Sequence, residues 1–523
     1  MVLTQEHVRQ IQRVEQGLLY RSLLRWVKLQ PDAPAIVEAE TGRQLSYLQI
    51  LAAVQAVRRW LGDNPRRLIL AMPAGIVNAT LWLSALSGGH HLLPISPTAT
   101  AEEKAAAARR HRPDVLIVEH EEDARGFGSP GATILTQQLC EMLIEQAPLA
   151  PLPGPREGYV YLTTSGSTGE PKCVVLAERQ ITWTAEQVCR SHSLTPRDRG
   201  LSVLPFFHVN APVVSLCSSL LAGSTIVIAQ RFSKQQFWSW IERYHITWAS
   251  AVPTIIAILL ETEKPAFLPG QLRFVRTGSA SLPPANLRAF EERFGIPIIE
   301  TYGLSEAASQ VVANPLPPGL RKPGSAGLPT GVSLRICFPQ TSEGDRVLRD
   351  VEPGETGEIC IAGPAVIQSY QNNEGQNAFQ QGWFRTGDLG YLDEDGYLFI
   401  RGRMREVINR GGENIAPREV EEAIQIHPAV REAAVVGRPD PIYGEQPVAY
   451  LTIRGSWNAG LAAQIRAHLT RLLSPPKVPV DLIVLDELPR NATGKLDRRL
   501  LRAREQARAT QEGPQANNRL SSS

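Results

Sequence analysis

Between residues 199 and 306 one pattern restricts the fold more than any other. Short apolar runs at 201–204, 248–253, 272–277 and 297–300 alternate with stretches of helical spacing. Each run gives out into polar or small residues: PFFH at 205–208, GSAS at 278–281 and TYGLSE at 301–306. Strands alternating with helices build wound α/β sheets. In open sheets of that kind, ligands bind beyond the carboxyl ends of the strands. If the runs are parallel strands of one sheet, the loops at 164–172, 205–210, 277–281 and 301–306 all leave at that edge and converge. The N-terminal part repeats the alternation, with strands predicted at 68–72, 92–94 and 115–118 and helices at 73–86 and 101–111. A hairpin is expected where 35–38 and 44–47 flank the turn 40–43.

The stretch 161–172, YLTTSGSTGEPK, sits between apolar runs at 159–162 and 173–176. Strand, polar loop, strand is its natural reading. Its residues Thr164, Ser165, Gly166, Ser167, Thr168, Gly169 and Lys172 combine turnable backbone N–H groups, hydroxyls and a charge, as a phosphate cradle needs. The spacing is not that of a Walker A loop. The plain alternative is a Ser/Gly-rich turn.

Beyond residue 325 the pattern becomes short strands with Gly and Asp/Asn turns. From about 403 a smaller α+β unit follows, its first helix opened by Pro417 with Glu419, Glu421 and Glu422 near the positive dipole end. The expected fold class is therefore α/β with a β-rich subdomain. A large N-terminal domain of wound sheets (1–402) precedes a small C-terminal α+β domain (403–503). Residues 504–523, polar and without aromatics, read as a disordered tail.

Composition closes off several functions. Lys and Arg number 54 against 52 Asp and Glu, a formal charge of +2 that offers nucleic acid no basic footprint. The six cysteines are scattered with no C-x-x-C pair, which argues against a zinc site and for reduced thiols in the cytoplasm. Residues 1–15 are polar and charged with no apolar core, so no signal peptide is expected there. The apolar stretch 211–229, broken by Pro212 and Gly223, reads as a buried helix and strand rather than a membrane span. His90 and His91 would point to opposite faces of a strand and share no ion.

Taken together, TTSGSTGEPK, PFFH (205–208), ETYGLSE (300–306), WFRTGD (383–388), GRMREVINRGGENIAPREVE (402–421) and PRNATGK (489–495) resemble the AMP-forming adenylate-forming superfamily of acyl-CoA synthetases, adenylation domains and luciferases. The resemblance covers about 25 to 503. The text between motifs, including LRFVRTGSASLPP (272–284) and KPGSAGLPTG (322–331), is most similar to oxalate–CoA ligase-type acyl-CoA synthetases.

That resemblance implies an ATP-dependent carboxylic acid–CoA ligase working through an acyl-adenylate, with ATP, Mg²⁺ and coenzyme A as cofactors. Lys495 fits the catalytic lysine, with Thr301 near the α-phosphate and His208 guarding the acyl pocket. Thr164–Lys172, Glu300, Tyr302, Gly303, Asp388 and Arg403 would bind ATP, Asp388 taking the ribose hydroxyls and Tyr302 lying against adenine. Glu306 would hold Mg²⁺. Arg405, where the family usually carries Asp or Lys, would be the hinge of a mobile small domain. Gly411, Gly412 and Glu413 would line the CoA channel. Asn210, Thr277, Gly278, Ser279, Ala280 and Ser309 would line the acid pocket. Oxalate–CoA ligases tend to have histidine at the positions of Asn210 and Ser309, and a small or polar acid is expected. Two other readings remain: an enzyme loading a carrier protein, and a non-catalytic acyl-AMP- or ATP-binding homologue.

Overall fold

A computed structural model describes residues 17–145, 154–164, 172–265, 270–339, 348–371, 375–490 and 496–512. Two large sheets carry the N-terminal part. In the first, strands Thr133–Thr136, Val115–Val118, Arg67–Ala71, His91–Pro94 and Tyr159–Thr164 lie side by side and parallel. Lys172–Ala177 closes that sheet antiparallel to Tyr159–Thr164. The polar loop 165–171 thus joins a hairpin, and its own residues lie outside the described part of the chain.

The second sheet has nine strands among the described residues. Its centre, Ile298–Leu304, Phe274–Thr277, Trp248–Ala251, Arg199–Ser202, Thr225–Ile228 and Pro34–Glu38, runs parallel throughout. The apolar runs read from the sequence are these strands, all but fully buried where they pass through the sheet. Register sets Ser202 opposite Ser250, Ala251 opposite Thr277, and Thr277 opposite Glu300. The exits at 203–210, 278–281 and 301–306 therefore do share one edge. The loop 165–171 belongs to the other sheet, so the convergence involves two sheets rather than one. The stretch read as a buried helix and strand is helical from Ala211 to Ala222, stops at Gly223 in the left-handed region, and continues as Thr225–Ile228.

A third sheet, Ser333–Cys337, Gly357–Ala362, Trp383–Leu392, Phe379–Gln380 and Leu398–Arg403, is antiparallel. The fourth comprises Glu413–Ile415, Ile408–Arg410, Gly444–Ile453, Val430–Asp440 and Asp481–Val484, packed by helices Pro417–Gln425 and Ala459–Leu472. The cores divide at the same place as the sheets. The buried residues of the large apolar cluster run from Leu19 to Leu398, and separate clusters start at Ile408 and Ala434.

The expected tail needs correction. Residues 504–512 continue the helix Arg498–Glu512. Leu501 and Glu505 are fully buried, and Glu505 accepts hydrogen bonds from the Tyr450 hydroxyl and from Arg438 Nε, the latter at 2.5 Å. This polar anchoring carries no apolar periodicity, so the composition concealed it. No helix among the described residues is long and apolar enough to cross a membrane.

Candidate active site

The strand Ile298–Leu304 carries Thr301, Tyr302 and Gly303 out of the parallel sheet and into an antiparallel pairing with Ser309–Ala313. Gly303 is dictated by that crossing, since a Cβ there would lie 1.6 Å from the Ser309 carbonyl oxygen. Tyr302 turns towards the third sheet, where its hydroxyl donates to Asp388 Oδ2 at 2.6 Å. Asp388 Oδ1 pairs with Arg403 Nε at 2.7 Å, the two residues standing opposite each other across adjacent strands. Asp388 is only 4% exposed. Burial and the neighbouring carboxylate push the Tyr302 phenol well above its ordinary value, so it is a fixed neutral donor. The Asp388 charge in turn raises Arg403. Each carboxylate oxygen retains a lone pair for a further donor.

A second cluster surrounds Glu306. Its Oε1 accepts from the Tyr370 hydroxyl at 2.8 Å, and its backbone carbonyl accepts from Ile367 N–H at 2.8 Å. Its Oε2 has no partner among the described residues. Lys172 Nζ lies 4.9 Å from the centre of the Tyr370 ring. The lysine that closes the polar loop and the glutamate of ETYGLSE thus meet through one tyrosine. No group of three or more metal-ligating side chains occurs among the described residues. A single carboxylate with one open oxygen fits a magnesium ion that completes its shell with phosphates and water.

The third cluster is the expected acid pocket. Thr301 Oγ1 donates to the Thr277 carbonyl at 2.9 Å, and Thr277 Oγ1 is buried without a hydrogen-bond partner among the described residues. Asn210 Nδ2 donates to Ser279 Oγ at 3.1 Å. Ser279 holds a left-handed φ of 68°, and Ser309, beside the crossing strand, one of 101°; such backbone is sparsely populated for residues with a Cβ. Ala280 is exposed beyond them. The His208 ring lies 4.7 Å from that of Phe207, tilted 48° to it, in the turn where the His208 backbone N–H donates to Pro205 O. The sequence reading passed over Arg276, which donates Nη1 to Asn210 Oδ1 at 3.0 Å. Its signal was a charge inside the otherwise apolar run FVRT.

Three expected elements lie outside these clusters. Glu300 is buried, with Gly324 N–H donating to its Oε2 at 3.1 Å, and burial pushes it up to about 8. The alternation of the strand sends its side chain away from Thr301. Gly411 and Gly412, with φ of 60° and 90°, form a two-residue turn between Ile408–Arg410 and Glu413–Ile415 in the small unit. Arg405 lies in the turn between the third and fourth sheets, its carbonyl accepting from Arg502 Nη1 at 2.8 Å. Of Thr164 the backbone is described, opposite Lys172. Ser165, Gly166, Ser167, Thr168, Gly169 and Lys495 lie outside the described residues.

The AMP-binding enzyme profile matches residues 23–371, and that of the AMP-binding enzyme C-terminal domain matches 419–495. A sulfoacetate–CoA ligase of Cupriavidus necator is 44% identical over 358 residues, 67% of this chain and 68% of that protein. An oxalate–CoA ligase of Arabidopsis thaliana is 40% identical over 359 residues, covering 66% and 67%. The o-succinylbenzoate CoA synthetase of Bacillus subtilis has been solved with its acyl-adenylate intermediate. That structure superposes with a TM-score of 0.79 at 29% identity, covering 92% of this chain and 97% of the other. The same enzyme with ATP and magnesium ion gives 0.78 at 28%, covering 92% and 98%. With the profile match spanning most of its length, the chain belongs to the AMP-binding enzyme family.

Proposed function

We propose that this protein is an ATP-dependent acid–CoA ligase that activates a short, polar carboxylic acid as its acyl-adenylate. The observation that carries the reading is the pair of clusters on one strand exit: Tyr302–Asp388–Arg403 and, three residues beyond Gly303, Glu306–Tyr370–Lys172. One suits a ribose, the other a metal-bound polyphosphate.

In the first half-reaction a carboxylate oxygen of the acid attacks the α-phosphorus of ATP and the bond to pyrophosphate breaks. Both reactants are anionic, so the site has to neutralise charge and hold the attack in line. Asp388 accepts the ribose hydroxyls, held in place by Tyr302 and Arg403. The loop from Thr164 to Lys172 cradles the β- and γ-phosphates. Glu306 would hold Mg²⁺, which supplies charge neutralisation of the phosphate oxygens. Thr301 stands by the α-phosphate, and Lys495 bridges it to the incoming carboxylate. In the second half-reaction the CoA sulfur, having lost its proton, attacks the acyl carbon and AMP leaves. His208 borders the acyl pocket, and the Gly411–Gly412 turn with Glu413 lines the thiol's approach.

One cleft serves both steps if the small domain, from about 403, swings at Arg405. The contacts linking the two parts suit such movement. Arg431–Glu261 at 2.8 Å joins side chains about half exposed, and Arg490 reaches Thr254 Oγ1 at 3.3 Å. Exposed pairs of this kind are each worth about 0–1 kcal/mol.

The test is AMP release from ATP and Mg²⁺ across a panel of acids, with and without CoA, and with a phosphopantetheinylated carrier in its place. AMP that requires both a short acid and CoA supports the reading. Preference for long-chain acids contradicts the substrate assignment, and thioester formation on the carrier alone contradicts the acceptor. Lys495→Ala is expected to abolish adenylation while ATP binding stays measurable.

A further inference from the structure

The helix Arg498–Glu512 begins just beyond Lys495 in sequence and is fixed to the small unit along one face. Arg498, Leu501, Arg502 and Glu505 have the spacing of neighbours on a single helix face. Leu501 and Glu505 are fully buried there. Arg498 pairs with Glu421 of the helix Pro417–Gln425, its Nη2 donating to Oε2 at 2.9 Å. Glu421 Oε1 in turn accepts from Val435 N–H at 2.7 Å. The chain ahead of the helix is closed at its base. Arg490 and Leu496 pair as an isolated antiparallel bridge, and Asp497 N–H donates to Pro489 O at 2.8 Å. Lys495 is the residue next to that bridge in sequence.

The same helix face grips the turn Met404–Glu406. Arg502 lays its guanidinium fork across two successive carbonyls, Nη1 donating to Arg405 O at 2.8 Å and Nη2 to Glu406 O at 3.0 Å. Arg498 Nε pairs with Glu406 Oε2 at 3.1 Å. Ile408, two residues on, is fully buried in the core of the small unit. Arg403, on the other side, belongs to the third sheet. It stands opposite Asp388 in the strand pairing and holds it through Nε at 2.7 Å. The chain is therefore tied to the large unit up to Arg403 and to the small unit from the Arg405 carbonyl onward. A swing of the small unit falls on the backbone torsions of Met404 and Arg405. Carbonyls of an exposed turn can be served by water, whereas holding them with an arginine costs side-chain entropy. The fork thus does more than satisfy two acceptors.

We infer that Arg498 and Arg502 are positioning residues for both half-reactions: they fasten the hinge to the helix that follows Lys495, so that turning at Met404 and Arg405 carries Lys495 and the Gly411–Gly412 turn as one body. This rests on the ligase reading above and names the residues that make its domain swing reproducible. The partners of both arginines lie on the small-unit side of the pivot, so the clamp stays closed in either position. Without it the end of the hinge turns independently of the helix, and the groups the swing delivers arrive misplaced. A misplacement of about 1 Å can cost about 100-fold in rate. The ribose and acid clusters belong to the large unit, so the loss falls on kcat rather than on KM.

The experiment measures the two half-reactions separately on the full chain, with oxalate, malonate and sulfoacetate as the acids. Acid-dependent exchange of pyrophosphate into ATP reads the first, and single-turnover transfer from the enzyme-bound acyl-adenylate to CoA reads the second. Arg502→Met is expected to lower the maximal rate of both by about 10-fold or more, with the KM for ATP and for the acid within about 2-fold of wild type. Arg502→Lys can reach one carbonyl but lacks the fork, and is expected to recover part of both rates. Glu406→Gln weakens the Arg498 contact at the hinge while the Arg498–Glu421 pair remains. It is expected to slow both steps less, and it carries the comparison if the methionine variant does not fold. Wild-type rates in both half-reactions, whatever the melting temperature, would reduce these contacts to bracing and overturn the inference. A loss confined to one half-reaction, or one accounted for by a raised KM for ATP, would also overturn it; each of these leaves the ligase reading intact. No exchange by the wild type with any of the three acids would overturn that reading and the inference with it.

Discussion

Tyr302 and Asp388 are 86 residues apart in sequence and joined by a 2.6 Å hydrogen bond that locks the crossing strand of the second sheet to the third sheet. The bond goes to a charged acceptor, which places it among the stronger ones, worth about 1.5–3 kcal/mol. Asp388→Asn loses the charge that holds Arg403 and the acceptor geometry a ribose needs. The KM for ATP in pyrophosphate exchange is expected to rise about 10- to 100-fold. Tyr302→Phe should act in the same direction but less, since the ring stays. A fall in thermal stability of both variants with unchanged KM for ATP would reduce the cluster to a brace.

Glu306 and Tyr370 make a second such link, 64 residues apart. The tyrosine occupies one carboxylate oxygen and leaves the other open. Burial and the Glu306 charge raise the Tyr370 phenol, so it remains a donor across the working pH range. Glu306→Gln is expected to shift the Mg²⁺ concentration for half-maximal AMP formation upward by about 10-fold or more, since a neutral amide is a poor ligand for a hard cation. Tyr370→Phe keeps the ring beneath Lys172 and should shift it less. A Mg²⁺ titration of the three proteins checks this, and coincident curves would remove Glu306 from the metal site.

Much of this site was legible in the sequence because its residues sit in short contiguous strings. Asp388 was in WFRTGD and Glu306 in ETYGLSE. The alternation of apolar runs gave the parallel strands and the shared edge. What was hidden depends on contacts between distant segments. Tyr370 belongs to none of the motif strings, and only the fold brings it to Glu306. Arg276 was read as part of an apolar strand, although a charge flanked by Val275 and Thr277 must be buried with them. Glu300, inside a motif string, reads as a ligand residue until the alternation of its strand turns it away. The helix Arg498–Glu512 escaped because a hydrophobic pattern did not form it.

Glu300 makes stability depend on pH. Its folded value lies near 8 against an ordinary 4.5, chiefly because of burial. Between those values the folded protein keeps a proton that the unfolded chain has released, so stability falls as pH rises from about 4.5 to about 8 and is level beyond. Glu300→Gln keeps the shape and carries no charge to desolvate. The melting temperature of Glu300→Gln minus that of the wild type is therefore expected to grow steadily from pH 5 to pH 8. A difference that stays constant across this range would mean Glu300 is ionised in the folded protein.

Glu505 tests the correction to the C-terminus. It is fully buried, and it accepts from Tyr450 of the central strand Gly444–Ile453 and from Arg438 of the neighbouring strand Val430–Asp440. The contact fastens the last helix to the sheet of the small unit. Glu505→Ala leaves the Arg438 guanidinium with only Asp481, at 2.6 Å, and leaves the Tyr450 hydroxyl without its acceptor. Removing one partner of a buried pair costs about 3–5 kcal/mol. The small unit is expected to unfold at lower urea concentration than in the wild type, while ATP binding by the large unit persists. A chain ending at residue 503 should show the same early transition. If both proteins unfold with the wild type, the helix beyond Arg504 contributes nothing, and the reading of 504–512 as a free tail stands.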